Sequence, residues 1–497
     1  MKKSLWQKDN YDKNLKSVEE NLNTDILIIG AGITGVTLAY NLLNSNKDVI
    51  LIDRNKFFNE VTAKSTGKLT YLQDLKYQDI EKIYDFDTAK KYYESQKDAI
   101  KLVKKNVKDN NIDCNLKRTY SVTYTKEEKE LYRFEKEMKF FDKLGVNYSN
   151  FNDSIYDTDI LKLISVNNTY VFNPVKYLND LYEIIKKNKN IRMYENSIAT
   201  KIRRENDKYI VNVNDYEITA NTIVLACNYP FFTIPFLMPF KTYLEKSYIT
   251  ATKVDKIDNI SAISTGNEVV SYRYDEDEKN KYFLYLTNSS KLSNKLNYEL
   301  NYNTNSKSAK EITDKKTSYS WMNMDVMTND FIPYIGRISN NDKNVFIATG
   351  YNTWGMTNGT IAAKVISDLI LKRKSKYENL FGVQRKINLI KIKNFAVNTL
   401  FSNIKAYSFS LIKKNPSWYK NYAVITKING KRVGIYFDEN GDKHIVSNVC
   451  PHLKCFLTFN KKDKTWDCPC HGSRFDTEGN SIKGPSVYNI KIDETSN

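Results

Sequence analysis

Two short stretches near the C-terminus, "CPHLKC" (450–455) and "CPCHGS" (468–473), concentrate the chain's thiols and imidazoles. The 497 residues contain six cysteines and three histidines. Four of the cysteines, Cys450, Cys455, Cys468 and Cys470, fall within 21 residues, with His452 among them and His471 directly after. Residues of these types at this density can clasp a structural zinc, form a disulfide or carry a redox centre. The clustering is unlike the distributed disulfide framework of a small secreted protein. A structural Cys₂His₂ zinc site typically takes its histidines at His-x₃₋₅-His spacing. Here each stretch supplies two Cys and one His, so the zinc, disulfide and redox readings all stay open at this point.

A second group of residues can bind a dinucleotide. Gly30, Gly32 and Gly35 stand at G-x-G-x-x-G spacing, and Asp53 follows 21 residues after Gly32. In such a turn one glycine permits the bend, one lets the backbone approach a pyrophosphate, and one lets helix lie close to strand. A helix N-terminus then offers free N–H groups to the phosphates, and the acid accepts hydrogen bonds from ribose hydroxyls.

These residues need elements to position them. "TDILII" (24–29) reads as a buried parallel strand, "VTLAYNLL" (36–43) as the helix packed on it, and "DVILIDRN" (48–55) as a second strand ending at Asp53. From about Ser417 short alternating runs are separated by "NGK" and "ENGD", which are hairpin signals, so the C-terminal part is a small all-β module. Between them lie two insertions: 76–170, charged and helical, and 236–320, alternating and therefore antiparallel sheet. Residues 1–22 read as a polar lead-in and 372–415 as a basic helical connector.

Composition narrows the class. The net charge is +18, but the lysines are dispersed rather than striped, so no nucleic-acid partner is expected. No run reaches the ~18 apolar residues of a membrane-spanning helix, the patch "IPFLMPF" (234–240) included. The N-terminus has no apolar core of a signal peptide. A cytoplasmic location is expected.

Several separated stretches resemble the D-amino-acid-oxidase-like (glycine oxidase type) family of FAD-dependent oxidoreductases. "TAKSTGKLT" (62–70) is similar to the loop beneath the flavin. "ENSIATKI" (195–202) and "ANTIVLACNYP" (220–230) are similar to later strands of the nucleotide-binding sheet. "DVMTNDFIPYIGR" (325–337) and "NVFIATGYNTWGMTNGTIAAKVISDLI" (344–370) are similar to the C-terminal flavin motif, with a helix expected to begin near Asn358. A second helix N-terminus there suits the flavin edge that gains negative charge on reduction, so the resemblance implies FAD rather than NAD. The implied cofactor contacts are Gly30, Ala31, Gly32, Ile33, Thr34, Gly35, Asp53, Arg54, Thr66, Gly67, Lys68, Gly350, Trp354, Gly355, Met356 and Thr357. No histidine precedes His444, so the flavin half has no histidyl attachment point and no histidine base. Cys114 and Cys227 read as bystander thiols, and noncovalent FAD is expected. Arg273 and Lys68 are the candidate catalytic residues, Arg273 as a bidentate carboxylate clamp; Tyr334 and Arg337 also lie near flavin motifs.

The pattern C-x-H-x-x-C followed by C-x-C-H resembles the Rieske ferredoxin family over about 80 residues, to "GPSVYNI". That resemblance implies a [2Fe–2S] cluster with Cys450 and Cys468 on one iron and His452 and His471 on the other. It also implies a Cys455–Cys470 disulfide, as in one Rieske subclass. Lys454 departs from the family pattern at a position that is often Gly.

The expected architecture is an α/β FAD-binding domain (Rossmann-like, GR2-type, 23–371) with an inserted α+β substrate domain, plus a C-terminal all-β Rieske domain (416–497). The implied activity is oxidation of a small amine or amino-acid-like substrate. Electrons are then exchanged singly through the cluster, at roughly −150 to +300 mV, with a one-electron partner: outward, draining the flavin, or in reverse, with the cluster feeding it. The alternatives are an electron-transfer or redox-sensing protein with no small substrate, and a zinc-stapled flavoenzyme.

Overall fold

The computed structural model describes residues 3–8, 13–151, 159–230, 241–291, 298–339, 341–385, 420–452 and 454–492. The glycine-rich turn lies between β1 (Leu22–Ile29) and α1 (Ile33–Asn41), and β2 (Val49–Ile52) follows. All four residues of β2 are buried, as are the last four of β1, because parallel strands are covered on both faces. The chain continues through β3 (Lys68–Leu69), α2 (Lys76–Ile83), α3 (Phe86–Asp109), β4 (Lys117–Thr125), α4 (Leu131–Lys143) and β5 (Lys162–Val171). Next come α5 (Pro174–Ile185), β6 (Ile191–Tyr194), β7 (Ala199–Glu205), β8 (Lys208–Val213) and β9 (Tyr216–Leu225).

The nucleotide-binding sheet is completed by β15 (Tyr334–Arg337) and β16 (Val345–Thr349), in the order β15-β16-β9-β1-β2-β6. β1 pairs in parallel with both β2 and β9, so the glycine turn leaves the carboxyl end of a central strand. The expected strand at 195–202 is β7, which reaches this sheet only through β8, at the outer end of an antiparallel meander on β9.

The substrate layer is a second sheet. It contains β10 (Thr242–Val254), β11 (Ile260–Thr265), β12 (Ser271–Glu276), β13 (Lys281–Lys291) and β14 (Thr317–Thr328), with α6 (Tyr298–Thr313) before the last. Its order is β14-β10-β13-β12-β11-β4-β5-β3. The first insertion is therefore not simply helical. Its β4, with the alternating sequence "KRTYSVTYT", pairs in parallel with β11 from the second insertion and antiparallel with β5. The substrate sheet also extends past 320, since β14 runs to Thr328.

After β16, α7 (Gly355–Ile370) packs on α1, with a short α8 (Glu378–Phe381) beyond it. The helix begins at Gly355, three residues earlier than expected, because Trp354 already serves as its N-cap. Of the expected connector 372–415, residues 386–415 lie outside the described residues, as do 234–240. The lead-in is anchored where it is described: Leu5 and Trp6 are buried, and the Trp6 indole N–H donates to the Ser65 carbonyl at 2.8 Å.

The C-terminal module has two small sheets. β17 (Tyr422–Ile428), β18 (Lys431–Phe437) and β19 (Lys443–Ser447) form one. The hairpin between the first two turns at Asn429 and Gly430, with φ of 48° and 75°, the paired positive values a tight primed turn requires. β20 (Thr458–Asn460), β21 (Thr465–Asp467), β22 (Arg474–Phe475) and β23 (Ser481–Lys483) form the other. Gly434 lets the sheets close: a Cβ there would lie 2.5 Å from the Trp466 ring. Among the described residues no helix is long and apolar enough to cross a membrane.

Candidate active site and metal centre

The glycine turn is built for close backbone approach. Gly30 has φ of 110°, and a Cβ on it would lie 2.6 Å from the Ala226 carbonyl oxygen. A Cβ on Gly35 would overlap the Gly30 carbonyl, so α1 lies directly against the turn. Asp53 closes the turn from the next strand: its Oδ2 accepts the Ala31 N–H at 2.8 Å and its Oδ1 the Asn55 N–H at 2.9 Å. Burial raises the Asp53 carboxyl to about 6 despite those two donors, so it is a buried acceptor ready for further donors.

A cavity of about 610 Å³ runs from this turn to the substrate sheet. Gly30 to Thr34, Asp53, Arg54, Thr66, Gly67, Lys68, Trp354, Gly355 and Met356 line it; Gly35, Gly350 and Thr357 do not. Gly35 serves the helix–strand contact. Gly350 turns the chain with φ of 76°. Thr357 instead accepts the Gln73 side-chain amide at 3.0 Å, in a buried polar group that includes Tyr92, Gln96 and Asn358. The N-termini of α1 and α7 converge, Gly359 fitting against Ile33 and Thr34, and both first turns face the cavity. Two helix N-termini, a glycine cradle and a buried acceptor fit a dinucleotide with an electron-accepting ring.

Lys68 lines the cavity from β3. Its Nζ donates to the Ala262 carbonyl at 2.8 Å and to the Ser271 hydroxyl at 2.6 Å. Burial, then the nearby Arg273 charge, lowers it to about 7. Arg273 is not the expected clamp. It is fully buried away from the cavity lining, bound to Asp275 at 2.9 Å and to the Gly67 carbonyl at 3.3 Å, with Trp6 stacked at 5.2 Å. A guanidinium already neutralised by a buried carboxylate has no fork left for a substrate. Tyr334 and Arg337 are likewise structural: Arg385 stacks on Tyr334 at 3.8 Å, and Arg337 pairs with Glu378 at 2.6 Å. Cys114 and Cys227 are both pushed up to about 12 by burial, so neither is a ready nucleophile, although Cys227 lines the cavity.

The cysteine–histidine stretches form two loops closed by their own backbones. The Cys450 N–H donates to the Cys455 carbonyl at 2.8 Å, and the Cys468 N–H to the Ser473 carbonyl at 2.7 Å. Cys455 and Cys470 form a disulfide between the loops. Although Cys455, Cys468 and Cys470 place three sulfurs close together, the disulfide removes two of them from any metal. Cys450 and Cys468 are buried, and their side chains hydrogen-bond each other. The His452 and His471 rings lie 5.1 Å apart. Burial lowers His452 to about 4 and His471 to about 3, which keeps both as neutral imidazoles, the ligating form. His471 Nδ1 is buried without a hydrogen-bond partner among the described residues, as a metal-directed nitrogen would be. This donor set fits a two-iron cluster. Lys454 holds φ of 58° with its side chain exposed, so the loop accepts it where Gly is frequent. His444 stands apart, paired with Glu478 at 2.6 Å.

The family model for FAD dependent oxidoreductases (DAO) matches residues 25–369. The chain belongs to this family. The family implies FAD, and this DAO member is an oxidoreductase. Its residues 412–492 match the Rieske [2Fe-2S] domain, which implies an iron–sulfur cluster and sets aside the zinc alternative. A protein of Bacillus subtilis (strain 168) named as a Rieske 2Fe-2S iron-sulfur protein, YhfW, is 29% identical over 98% of this chain and 97% of its own length. The similarity thus runs through both the oxidoreductase and the Rieske parts of the chain. Its fold is similar to glycine oxidase from Geobacillus kaustophilus (TM-score 0.59, 12% identity, 74% of this chain and 100% of that one). It is equally similar to L-proline dehydrogenase from P. horikoshii (TM-score 0.59, 17% identity, 73% and 98%).

Sequence reasoning missed residues that complete the site. Thr62 accepts the Ile33 N–H at 3.0 Å, Tyr351 meets the Thr34 hydroxyl at 2.6 Å, and Tyr229 links the two halves. All three lie inside the flavin-like stretches quoted above, but none stands at a diagnostic spacing there, and hydroxyl residues after strands are too common to single out. The Rieske module also reaches the flavin half directly. Arg54 donates to the Ser481 carbonyl at 2.9 Å and the Ser486 carbonyl at 3.3 Å, and His471, Gly472 and Lys483 line the same cavity as the glycine turn.

Proposed function

We propose that this chain oxidises a small amine or amino-acid-like substrate in the cavity and passes the electrons singly through its Rieske cluster to an external carrier. The observation that carries the reading is the shared cavity: the glycine turn, Lys68 and His471 line one chamber. Bound FAD supplies a two-electron acceptor and the cluster a one-electron carrier. Cys450 and Cys468 are the thiolate ligands and His452 and His471 the imidazole ligands. The glycine turn and Asp53 hold the dinucleotide without a covalent link. Lys68, near neutrality in a buried wall, takes the substrate proton, since the flavin half has no histidine and His471 is given to the cluster. Asp74, Glu245 and Asp325 also line the chamber, and a carboxylate there suits a cationic amine; burial raises Asp325 to about 7, so it carries that charge only above this pH.

Iron, zinc and flavin analysis together with EPR of the dithionite-reduced protein tests the cofactors. The expected result is two irons and one flavin per chain with an anisotropic [2Fe–2S] signal; one zinc without iron refutes it. Anaerobic mixing with a panel of amines and amino acids tests the substrate class. Bleaching of the flavin band by at least one is expected, whereas no bleaching by any, with fast reduction by a reduced ferredoxin, favours a carrier without a small substrate.

A further inference from the structure

Tyr229 sits just past β9, where the chain leaves the nucleotide-binding sheet. The residue lines the cavity. Its ring also meets both imidazoles: its centroid lies 5.3 Å from that of His471 and 6.2 Å from that of His452. The residue is buried. The module carrying the imidazoles is fastened on two further sides. Arg54 holds Ser481 and Ser486, and Lys246 of β10 lies buried within the field of Asp467 and Arg474. The histidine edge of the module is thus turned inward, toward the cavity, with His471 in its lining and the Tyr229 ring packed against both imidazoles.

We propose that Tyr229 is the positioning residue that couples the cofactor cavity to the histidine edge of the cluster, so that electrons cross within a single chain. The inference rests on the function proposed above and deepens it. Each crossing reduces one ferric ion of the cluster, which is reoxidised by the external one-electron acceptor. Two crossings therefore balance one two-electron oxidation in the cavity, and the released protons go to solvent. The ring's contact, rather than its hydroxyl, is the contribution. Phenylalanine should therefore replace it and leucine should not.

The test uses the full chain loaded with FAD and iron, with laser-flash reduction by 5-deazariboflavin followed at the flavin and cluster bands. In the parent protein the exchange between the two centres should be independent of protein concentration. Tyr229→Phe should keep its rate within about twofold, whereas Tyr229→Leu should slow it by about tenfold, because a shorter side chain opens a gap in a packed contact path. Flavin content, iron content and the reduced-cluster g values should stay those of the parent in both variants. Parent-like exchange in Tyr229→Leu overturns the inference. So does a parent rate that rises with protein concentration, a measurement that needs no variant. A chain that binds no iron overturns the reading of the site itself, and so is distinguishable from failure of this inference alone.

Discussion

At the scale of single residues, Lys68 carries the sharpest expectation. Its amine is lowered from 10.5 to about 7 by burial, so it is neutral above that pH in the folded chain but stays charged to about 10.5 when unfolded. The unfolded chain therefore binds more protons between those values, and stability gains from Lys68 as pH rises through the window. Substrate oxidation should show an ascending limb near pH 7, and Lys68→Met should remove that limb and lower the rate by about 10²-fold. A steady-state pH profile of both proteins checks this, and an unchanged limb in the variant assigns the proton to another group. Lys68 was legible as a neighbour of the flavin loop. Arg273 was not legible as structural, because a strand arginine reads alike whether it meets a ligand or a buried acid. Its partner Asp275 lies two residues along the same strand, on the same face.

At the scale of elements, the crossing of α1 and α7 depends on Gly359. A Cβ there would lie 2.6 Å from Ile33 Cγ2 and 3.0 Å from Thr34 Oγ1. Alanine gains about 1 kcal/mol of helix propensity over glycine, but overpacking costs about 1–3 kcal/mol and shifts the α1 N-terminus. Gly359→Ala should therefore lose stability and weaken FAD retention, measured by thermal melts and flavin release on gel filtration. The Cys455–Cys470 disulfide closes a loop with a sequence separation of 15. Replacing both cysteines with serine should destabilise the module by about 3 kcal/mol, read as faster loss of the cluster's visible absorbance on warming. The strand–turn–helix and the cysteine–histidine loops were legible because their spacing is local. β4 and β5 were not, since their strand pattern sits among lysine-rich helices and their partners lie in the other insertion. The early start of α7 was hidden by the tryptophan at its N-cap, a residue with no capping preference.

At the scale of the whole molecule, the two halves meet at a contact that sequence periodicity does not encode. Arg54 was expected to serve the cofactor, yet its guanidinium also bonds Ser481 and Ser486 more than 400 residues away. Arg54→Ala should loosen the docked module, at a loss of about 1–3 kcal/mol, and, because Arg54 also lines the cofactor cavity, flavin content is measured alongside. The cluster should then be reduced more slowly after flavin photoreduction, and equal rates would show that docking does not depend on this residue. Lys483, lowered to about 8 by burial, shares the same interface with Glu60 and Asp325. One chamber wall therefore comes from the module that the proposed function makes the electron exit. Each electron stored there adds a negative charge to that wall, and opposite charges attract strongly where water is excluded. A cationic substrate should then bind more tightly to the reduced form than to the oxidised one. Product departure and cluster reoxidation become linked, so the external acceptor governs how quickly the chamber empties as well as how quickly it is drained of electrons.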